Sequence, residues 1–344
     1  MNKNSYLQFE KRKKEHIKLA LMKSNQTIKY NILDKILLTH NALPNINFKE
    51  ININSIQLGK KVIKPFLVSS MTAGHKNSIN INYNLIKACS IHQWSMGVGS
   101  QRRELTDINA SSEWIFLRKH FPNVSLFSNL GITQLIHTPF QKIQRLIDTL
   151  QAKAIIIHCN PLQEILQPEG IPNFKGCFKA LDNLVKTLSI PVIVKETGCG
   201  FSKATLKQLK KIGIAAVDVS GLGGTHWGRI EGKRTKNNIK KKAAITFGNW
   251  GITTIQSIKN AISLIPNFEI WGSGGVRNGL DAAKLFALGV NMVGFAQLML
   301  NAAIHNSKKV CNLMKLIEYE LKIAMFCTGS HTLKELKGKY SINR

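Results

Sequence analysis

A chain of 344 residues with 44% apolar content can bury a large core, and one (β/α)8 barrel of about 250 residues with additions fits that length. Composition argues against several classes: no uncharged apolar run approaches a membrane span, the N-terminus is polar and basic rather than a signal peptide, and no short repeat recurs. The six cysteines, Cys89, Cys159, Cys177, Cys199, Cys311 and Cys327, show no C-x-x-C spacing. They read as free thiols in a reducing compartment, which makes a cytoplasmic protein the expectation.

The formal charge of +29 is the main compositional anomaly. Such a balance raises the possibility of a nucleic-acid partner. The basic residues form no single stripe, however. They are spread along predicted helix faces and concentrate at Lys11–Lys14 and Arg229–Lys242. Abundant Lys, Asn and Ile together favour a compositional background plus a small anionic ligand over a polynucleotide.

Residues 1–64 read as an N-terminal extension. The first 30 carry a helical pattern in which Arg12, Lys13 and His16 fall on one side, as an anion clamp would. Ile51, Ile53, Ile56 and Leu58 suggest short strands, possible material for a hairpin closing the base of the next domain. From 65 to 330 apolar runs alternate with helical patterns. The runs lie at Pro65–Ser70, Ser95–Gly99, Val124–Ser128, Ala154–Ile157, Pro191–Val194, Ala215–Val219, Phe268–Trp271 and Val293–Gln297. Helical patterns are predicted near 77–92, 138–151, 175–188, 202–212, 253–264 and 280–288, with two more near 298–306 and 309–326. Eight strands, each followed by a helix, predict an α/β TIM (β/α)8 barrel. The basic, Asn-rich insert 225–250 has few large apolar residues before Phe247 and is expected as a mobile lid or a loop ordered by ligand, with plain disorder as the alternative. Residues 331–344 read as a C-terminal tail.

The last two strands end in glycine. Trp271-Gly272-Ser273-Gly274-Gly275-Val276-Arg277 precedes one helix, and Val293-Gly294-Phe295-Ala296-Gln297 the next. Bare backbone beside a helix N-terminus suits a phosphate, because the N–H groups point outward and no side chain blocks the approach. A lone Gly-Gly would suggest only a tight turn. Two such strand ends in tandem, after the last two strands of a barrel, favour a phosphate site.

In this fold polar residues at the C-terminal strand ends mark an active site. Here they include Thr72, Ser100, Asn129, His158, Asn160, Gln163, Glu164, Lys195, Ser220 and Thr225. Lys195 ends an all-apolar strand and should point into the barrel mouth. It could pair with Glu196 or Asp218, form a Schiff base, or hold negative charge on a cofactor ring. Glu164 alone cannot cage a metal but can hold Mg²⁺ together with a diphosphate and water. Gln163 is no ordinary acid or base; it can orient a substrate or relay a proton. Cys199 reads as a buried thiol rather than a nucleophile.

In order along the chain stand Arg12-Lys13-x-x-His16, Met71-Thr72-Ala73-Gly74, Gly99-Ser100-Gln101-Arg102, His158-x-Asn160-Pro161-x-Gln163-Glu164, Lys195-Glu196-x-Gly198, Asp218-x-Ser220-Gly221-x-Gly223-Gly224-Thr225, Trp250-Gly251-Ile252 and Gly274-Gly275-x-Arg277. This series resembles the type 2, flavin-dependent isopentenyl-diphosphate isomerases from about residue 8 to 330. The His-x-Asn-Pro-x-Gln-Glu run is its most specific part; the glycine motifs are shared by many flavin barrels. The resemblance implies interconversion of isopentenyl and dimethylallyl diphosphate with reduced FMN, Mg²⁺ and NADPH or NADH. It implies FMN contacts from Met71, Thr72, Ala73, Ser100, Asn129, Lys195, Ser220 and Thr225, with the FMN phosphate on Gly274, Gly275, Arg277, Ala296 and Gln297. Substrate would meet Arg12, Lys13, Ser100, Gln101, Arg102, His158, Asn160 and Gln163, and Glu164 would bind Mg²⁺. Gln163 and Lys195 are the expected catalytic groups, and a homo-octamer is the implied assembly. His226 departs from the family's small residue after the Thr225 position, as does the lysine-rich segment beyond it.

Two alternatives stand beside this reading. One is another FMN barrel, such as a 2-hydroxy-acid oxidase, whose His base and Arg clamp could come only from His226 and Arg229. The other is a non-catalytic, nucleic-acid-binding barrel, motivated by the charge.

Overall fold

The computed structural model describes residues 3–27, 31–71 and 78–343. Its centre is a closed, all-parallel barrel of eight strands: β1 (Phe66–Val68), β2 (Ser95–Gly97), β3 (Leu126–Gly131), β4 (Ala154–Cys159), β5 (Val192–Glu196), β6 (Ala216–Asp218), β7 (Glu269–Gly272) and β8 (Met292–Phe295). Closure comes from β8 pairing with β1, Phe295 opposite Val68. The predicted strands are all present; β3 starts later and runs further than its apolar run suggested, and β8 stops at Phe295.

Side chains alternate between the two faces of a strand. One set, Leu67, Phe127, Ala154, Ile156, Ile193, Ala216, Trp271 and Met292, forms a core of its own inside the barrel. The other set, including Phe66, Ile155, Ile157, Val192, Val194 and Val217, joins the larger core shared with the surrounding helices. Fully burying a side chain of this size contributes roughly 1.5–3 kcal/mol, so both layers hold the strands in register. The same alternation places the chemistry. Two positions beyond an inward apolar residue stand Asn129 after Phe127, His158 after Ile156, Lys195 after Ile193, Asp218 after Ala216 and Ser273 after Trp271. These groups must face the barrel mouth. His158, Lys195 and Asp218 are neighbours in register across β4, β5 and β6.

The opposite end is plugged by a two-stranded hairpin, Ser55–Gln57 with Lys60–Val62. Leu58 and Val62 pack against the inner core, and Ser95 Oγ donates to Gln57 Oε1 at 2.9 Å. The C-terminal residues are no loose tail: Tyr340–Ile342 pairs antiparallel with Ile36–Leu38 of the extension.

The insert departs most from expectation. Residues Trp227–Arg234 and Asn238–Thr246 are helices, with Ile230 and Glu231 fully buried. His226 caps the first by accepting from Arg229 N, and Asn237 caps the second by accepting from Ile239 N and Lys240 N. The scarcity of large apolar residues suggested a segment unable to bury itself. The first helix is buried instead by polar contacts to the N-terminal helix Lys3–Ala20 and to the short helix Pro161–Leu166 after β4, while the second stays mostly exposed.

Candidate active site

A cavity of about 410 Å³ opens at the C-terminal ends of the strands, within the usual range for small-molecule sites. Most of the predicted residues converge on it: Arg12, Lys13, Met71, Ser100, Arg102, Asn129, His158, Asn160, Gln163, Glu164, Lys195, Ser220, Thr225, Gly274, Gly275, Arg277, Ala296 and Gln297. Thr72 and Ala73 lie outside the described residues.

Two glycine loops build one wall. Gly274 and Gly275 have φ of 101° and 88°, the left-handed region that favours glycine. A Cβ on Gly274 would stand 2.4 Å from the Gly221 carbonyl oxygen, and one on Gly275 would stand 2.3 Å from that of Gly223. Bare backbone is therefore required on geometric grounds, which fits a phosphate cradle. The Arg277 side chain differs from expectation. Its guanidinium donates to Asp281 and Asp34, so its charge is answered by two carboxylates; Nε reaches Asp281 Oδ2 at 2.7 Å. It lines the cavity and ties the N-terminal segment to the cradle through Asp34, and its backbone N–H also donates to Asp281 Oδ2 at 3.0 Å.

That segment crosses the same wall. Thr27 donates through N and Oγ1 to the Gly224 carbonyl at 2.7 and 2.8 Å, Asn31 Nδ2 donates to the Gly275 carbonyl, and Thr225 Oγ1 donates to Gln26 Oε1 at 3.0 Å.

Four basic side chains and one imidazole crowd the other side. Arg12, Lys13, Arg102, His158 and Lys195 all line the cavity. Enclosure, then the charges of Arg12 and Arg102, pull Lys13 down to about 7. His158 falls to about 3, through enclosure and then Lys195 and Lys13. Arg12 is lowered by burial and then by Arg102, although Glu169 and Glu231 act against them. No carboxylate stands among the influences on Lys13 or His158. Gathering like charges in a shielded space is costly unless an anion joins them.

Gln101 is not on the cavity wall. It is 1% exposed, behind Asn129, and its Oε1 accepts from Asn129 N at 3.2 Å and from Ser128 Oγ. Its Nε2 donates to Glu104 at 2.9 Å. Burial pushes Glu104 up to about 7 against the hydrogen bonds from Gln101 and Ser111. Gln101 thus holds Asn129 in position from behind the cavity wall. Lys195 Nζ donates to the Glu196 carbonyl at 2.6 Å, while the Glu196 carboxylate turns away and accepts the backbone N–H groups of Thr197, Gly198, Cys199 and Gly200. Burial lifts the Cys199 thiol to about 12, consistent with an inert thiol.

The short helix Pro161–Leu166 after β4, with Asn160 at its N-cap, holds three functional groups. Asn160 Nδ2 donates to Gln163 Oε1 at 3.0 Å and Glu164 Oε1 at 3.3 Å; its own Oδ1 is buried without a partner among the described residues. Glu164 Oε2 accepts from Ile171 N at 2.8 Å. Among the described residues no cluster of three His, Cys, Asp or Glu could hold a metal. Glu164 is the carboxylate on the cavity wall among the described residues, and a single carboxylate there fits Mg²⁺ beside diphosphate oxygens and water.

One residue escaped the sequence reading. Glu231, fully buried, accepts at Oε1 from Gln163 Nε2 at 3.2 Å and pairs there with His16 Nε2 at 2.8 Å; its Oε2 accepts from Arg234 Nη1 at 2.6 Å. Burial pushes this carboxyl up, but the His16 hydrogen bond and the charges of His16 and Arg234 outweigh it and hold it below the usual range. The available signal was Glu231 and Arg234 one helical turn apart in a segment taken for a loop.

An eight-stranded parallel barrel with a glycine cradle after β7 defines a class, the phosphate-binding (β/α)8 barrels. The FMN-dependent dehydrogenase family matches residues 160–343. A variant flavocytochrome b2 with sulfite bound superposes with a TM-score of 0.68 at 15% identity, over 98% of this chain and 86% of that one, a likeness of fold. More specifically, an isopentenyl-diphosphate delta-isomerase of Legionella pneumophila (strain Corby) is 65% identical over 98% of each chain. Another from Bdellovibrio bacteriovorus is 51% identical over 96% of this chain and 97% of its own. The chain belongs to the flavin-dependent, type 2 isopentenyl-diphosphate delta-isomerase family.

Proposed function

We propose that the protein interconverts isopentenyl and dimethylallyl diphosphate; FMN would be held in the cavity, Glu164 would hold Mg²⁺ that supplies positive charge to the substrate's diphosphate, and NADPH or NADH would keep the flavin reduced. The carrying observation is the convergence of Arg12, Lys13, Arg102, His158 and Lys195 on one shielded cavity that also contains the glycine cradle. Two anionic groups would answer these two features. The cofactor phosphate would rest on Gly274, Gly275, Ala296 and Gln297, and the substrate diphosphate would face Arg12, Lys13, Arg102 and His158. Met71, Ser100, Asn129, Lys195, Ser220 and Thr225 would hold the ring. FMN, once bound and reduced, supplies an electron-rich ring and an exchangeable proton.

An allylic shift needs a proton delivered to one carbon and another removed two carbons away, with a tertiary cation-like state between them. Gln163 is fixed at both ends of its amide, by Asn160 and by Glu231. It would orient the isoprene carbons, and Glu231 is the adjoining group able to hold a proton. Phe9, Ile17 and Trp227 line the same space and would exclude water from the cation. Lys195 would favour negative charge on the ring.

The oxidase alternative lacks its machinery. His226 is fully buried, with Nδ1 accepting from Arg229 N and Nε2 donating to the Trp250 carbonyl. Arg229 is engaged with Gly248, Gln26 and Asn249. We also propose cytoplasmic location and assembly as an octamer, the latter checked by light scattering. The activity is tested by anaerobic incubation with FMN, Mg²⁺, NADPH and labelled isopentenyl diphosphate: labelled dimethylallyl diphosphate is expected, and its absence with flavin bound and reduced overturns the proposal.

A further inference from the structure

Arg234 is the last residue of the insert's first helix and is 4% exposed at its side chain. Its guanidinium meets three carboxylates from three parts of the chain. Nε donates to Glu15 Oε2 at 3.0 Å on the N-terminal helix, Nη2 to Glu169 Oε1 at 3.0 Å in the loop after β4, and Nη1 to Glu231 Oε2 at 2.6 Å on its own helix. The planar fork of arginine can serve three acceptors at once; a lysine cannot hold the same geometry. Glu231 reaches back from this junction to His16 of the N-terminal helix and to Gln163 of the short helix Pro161–Leu166 that precedes the Glu169 loop.

We propose that Arg234 is a positioning residue for the isomerisation: it locks the N-terminal helix, the loop after β4 and the insert helix together, so that Glu231 faces Gln163 and Arg12 and Lys13 face the cavity. This rests on the isomerase reading above. The Oε2 bond to Arg234 leaves Glu231 Oε1 for His16 and Gln163, which fixes the Gln163 amide with its oxygen toward Asn160. The titratable and charged groups facing Glu231 are His16, whose pKa burial lowers, Glu15 and Arg12 from the N-terminal helix, Glu169 from the loop, and Arg234 from its own helix. Losing Arg234 removes a cation in direct contact, so Glu231 takes up a proton at higher pH. The bolt also governs substrate affinity, because Arg12 and Lys13 lie on the helix that Glu15 anchors.

The test compares wild type with Arg234→Gln and Arg234→Lys. Arg234→Gln is expected to lower kcat about 10–100-fold, to move the acid limb of the kcat profile up by about one pH unit, and to raise KM. Arg234→Lys, which keeps the charge, is expected to restore most of the acid limb while KM stays raised. Hydrogen exchange over residues 8–20 should quicken in both. Faster exchange or a lower Tm with unchanged kcat and an unchanged limb would reduce Arg234 to a structural tie and overturn the proposal. Should Arg234→Gln not fold, Arg234→Lys with wild-type kcat, KM and limb overturns it equally. Carbon-13 carboxyl titration of Glu231 in the protein without substrate separates this from failure of the isomerase reading: a raised pKa in Arg234→Gln that returns toward the wild-type value in Arg234→Lys supports the proposal even if no isomerisation is found, and an unmoved one in Arg234→Gln rejects it.

Discussion

His158 Nδ1 lies 2.9 Å from Asn129 Oδ1, and Asn129 Nδ2 donates to the Val98 carbonyl at 3.0 Å. A carbonyl only accepts, so the Asn129 amide is turned with its oxygen to His158, and the imidazole proton sits on Nδ1. The ring is held neutral, its pKa drawn down to about 3 by enclosure and by Lys195 and Lys13. The unfolded chain therefore binds this proton first, near the ordinary value of about 6.5. The His158 contribution to stability is complete above that value and is lost as pH falls from there toward 3. Thermal melts of wild type and His158→Gln between pH 4 and 7 should show the shallower acid decline in the variant; parallel curves would contradict it.

Lys13 gives a second pH effect. Its ammonium is drawn down to about 7 by enclosure and by Arg12 and Arg102, whereas in an unfolded chain it titrates near 10.4. At pH 8 much of it is neutral, and a diphosphate beside it raises its pKa. Pyrophosphate binding at pH 8 should then take up a proton, seen calorimetrically as heats that depend on the buffer's ionisation enthalpy. Lys13→Met should remove most of that dependence. Buffer-independent heats in wild type would sink the assignment.

The glycine wall makes a steric prediction. Gly275→Ala places a Cβ against the Gly223 carbonyl at a backbone φ of 88°. Strain of this kind costs roughly 1–3 kcal/mol. The variant should melt earlier and lose FMN on gel filtration; wild-type flavin retention would show that the cradle lies elsewhere.

How much of this was readable in advance depended on what buried each segment. The barrel strands are short runs of Ile, Val, Leu and Ala buried on both faces, and such runs declare themselves locally. The alternation that put Ile193 inward also put Lys195 in the mouth, so the chemistry at the strand ends was equally legible. Glu231 and Arg234 were not, because their segment is buried by ion pairs with Glu15, Glu169 and His16, all distant in sequence. Gln101 was placed on the substrate by its motif, yet folds behind Asn129 to meet Ser128 and Glu104. The Arg277 guanidinium likewise met Asp34, a partner hidden in the extension. Pairing of Tyr340–Ile342 with Ile36–Leu38 leaves no local trace at either end.

The short helix after β4 divides two roles that substitution can separate. Gln163→Ala should keep FMN and lose at least about 100-fold in kcat, as expected when a group that positions the reacting carbons is removed. Glu164→Ala should instead raise the Mg²⁺ concentration needed for half-maximal rate. Steady-state kinetics across a Mg²⁺ series distinguishes them, and wild-type behaviour of both variants would refute the site assignment.

The most direct measurement of the central claim follows the carbon skeleton itself. Wild-type protein with FMN, Mg²⁺ and NADPH is incubated anaerobically with isopentenyl diphosphate in deuterium oxide, and the product is read by NMR. Dimethylallyl diphosphate carrying solvent deuterium in a methyl group is the predicted result. Recovery of unchanged isopentenyl diphosphate, with the flavin demonstrably bound and reduced, would contradict it.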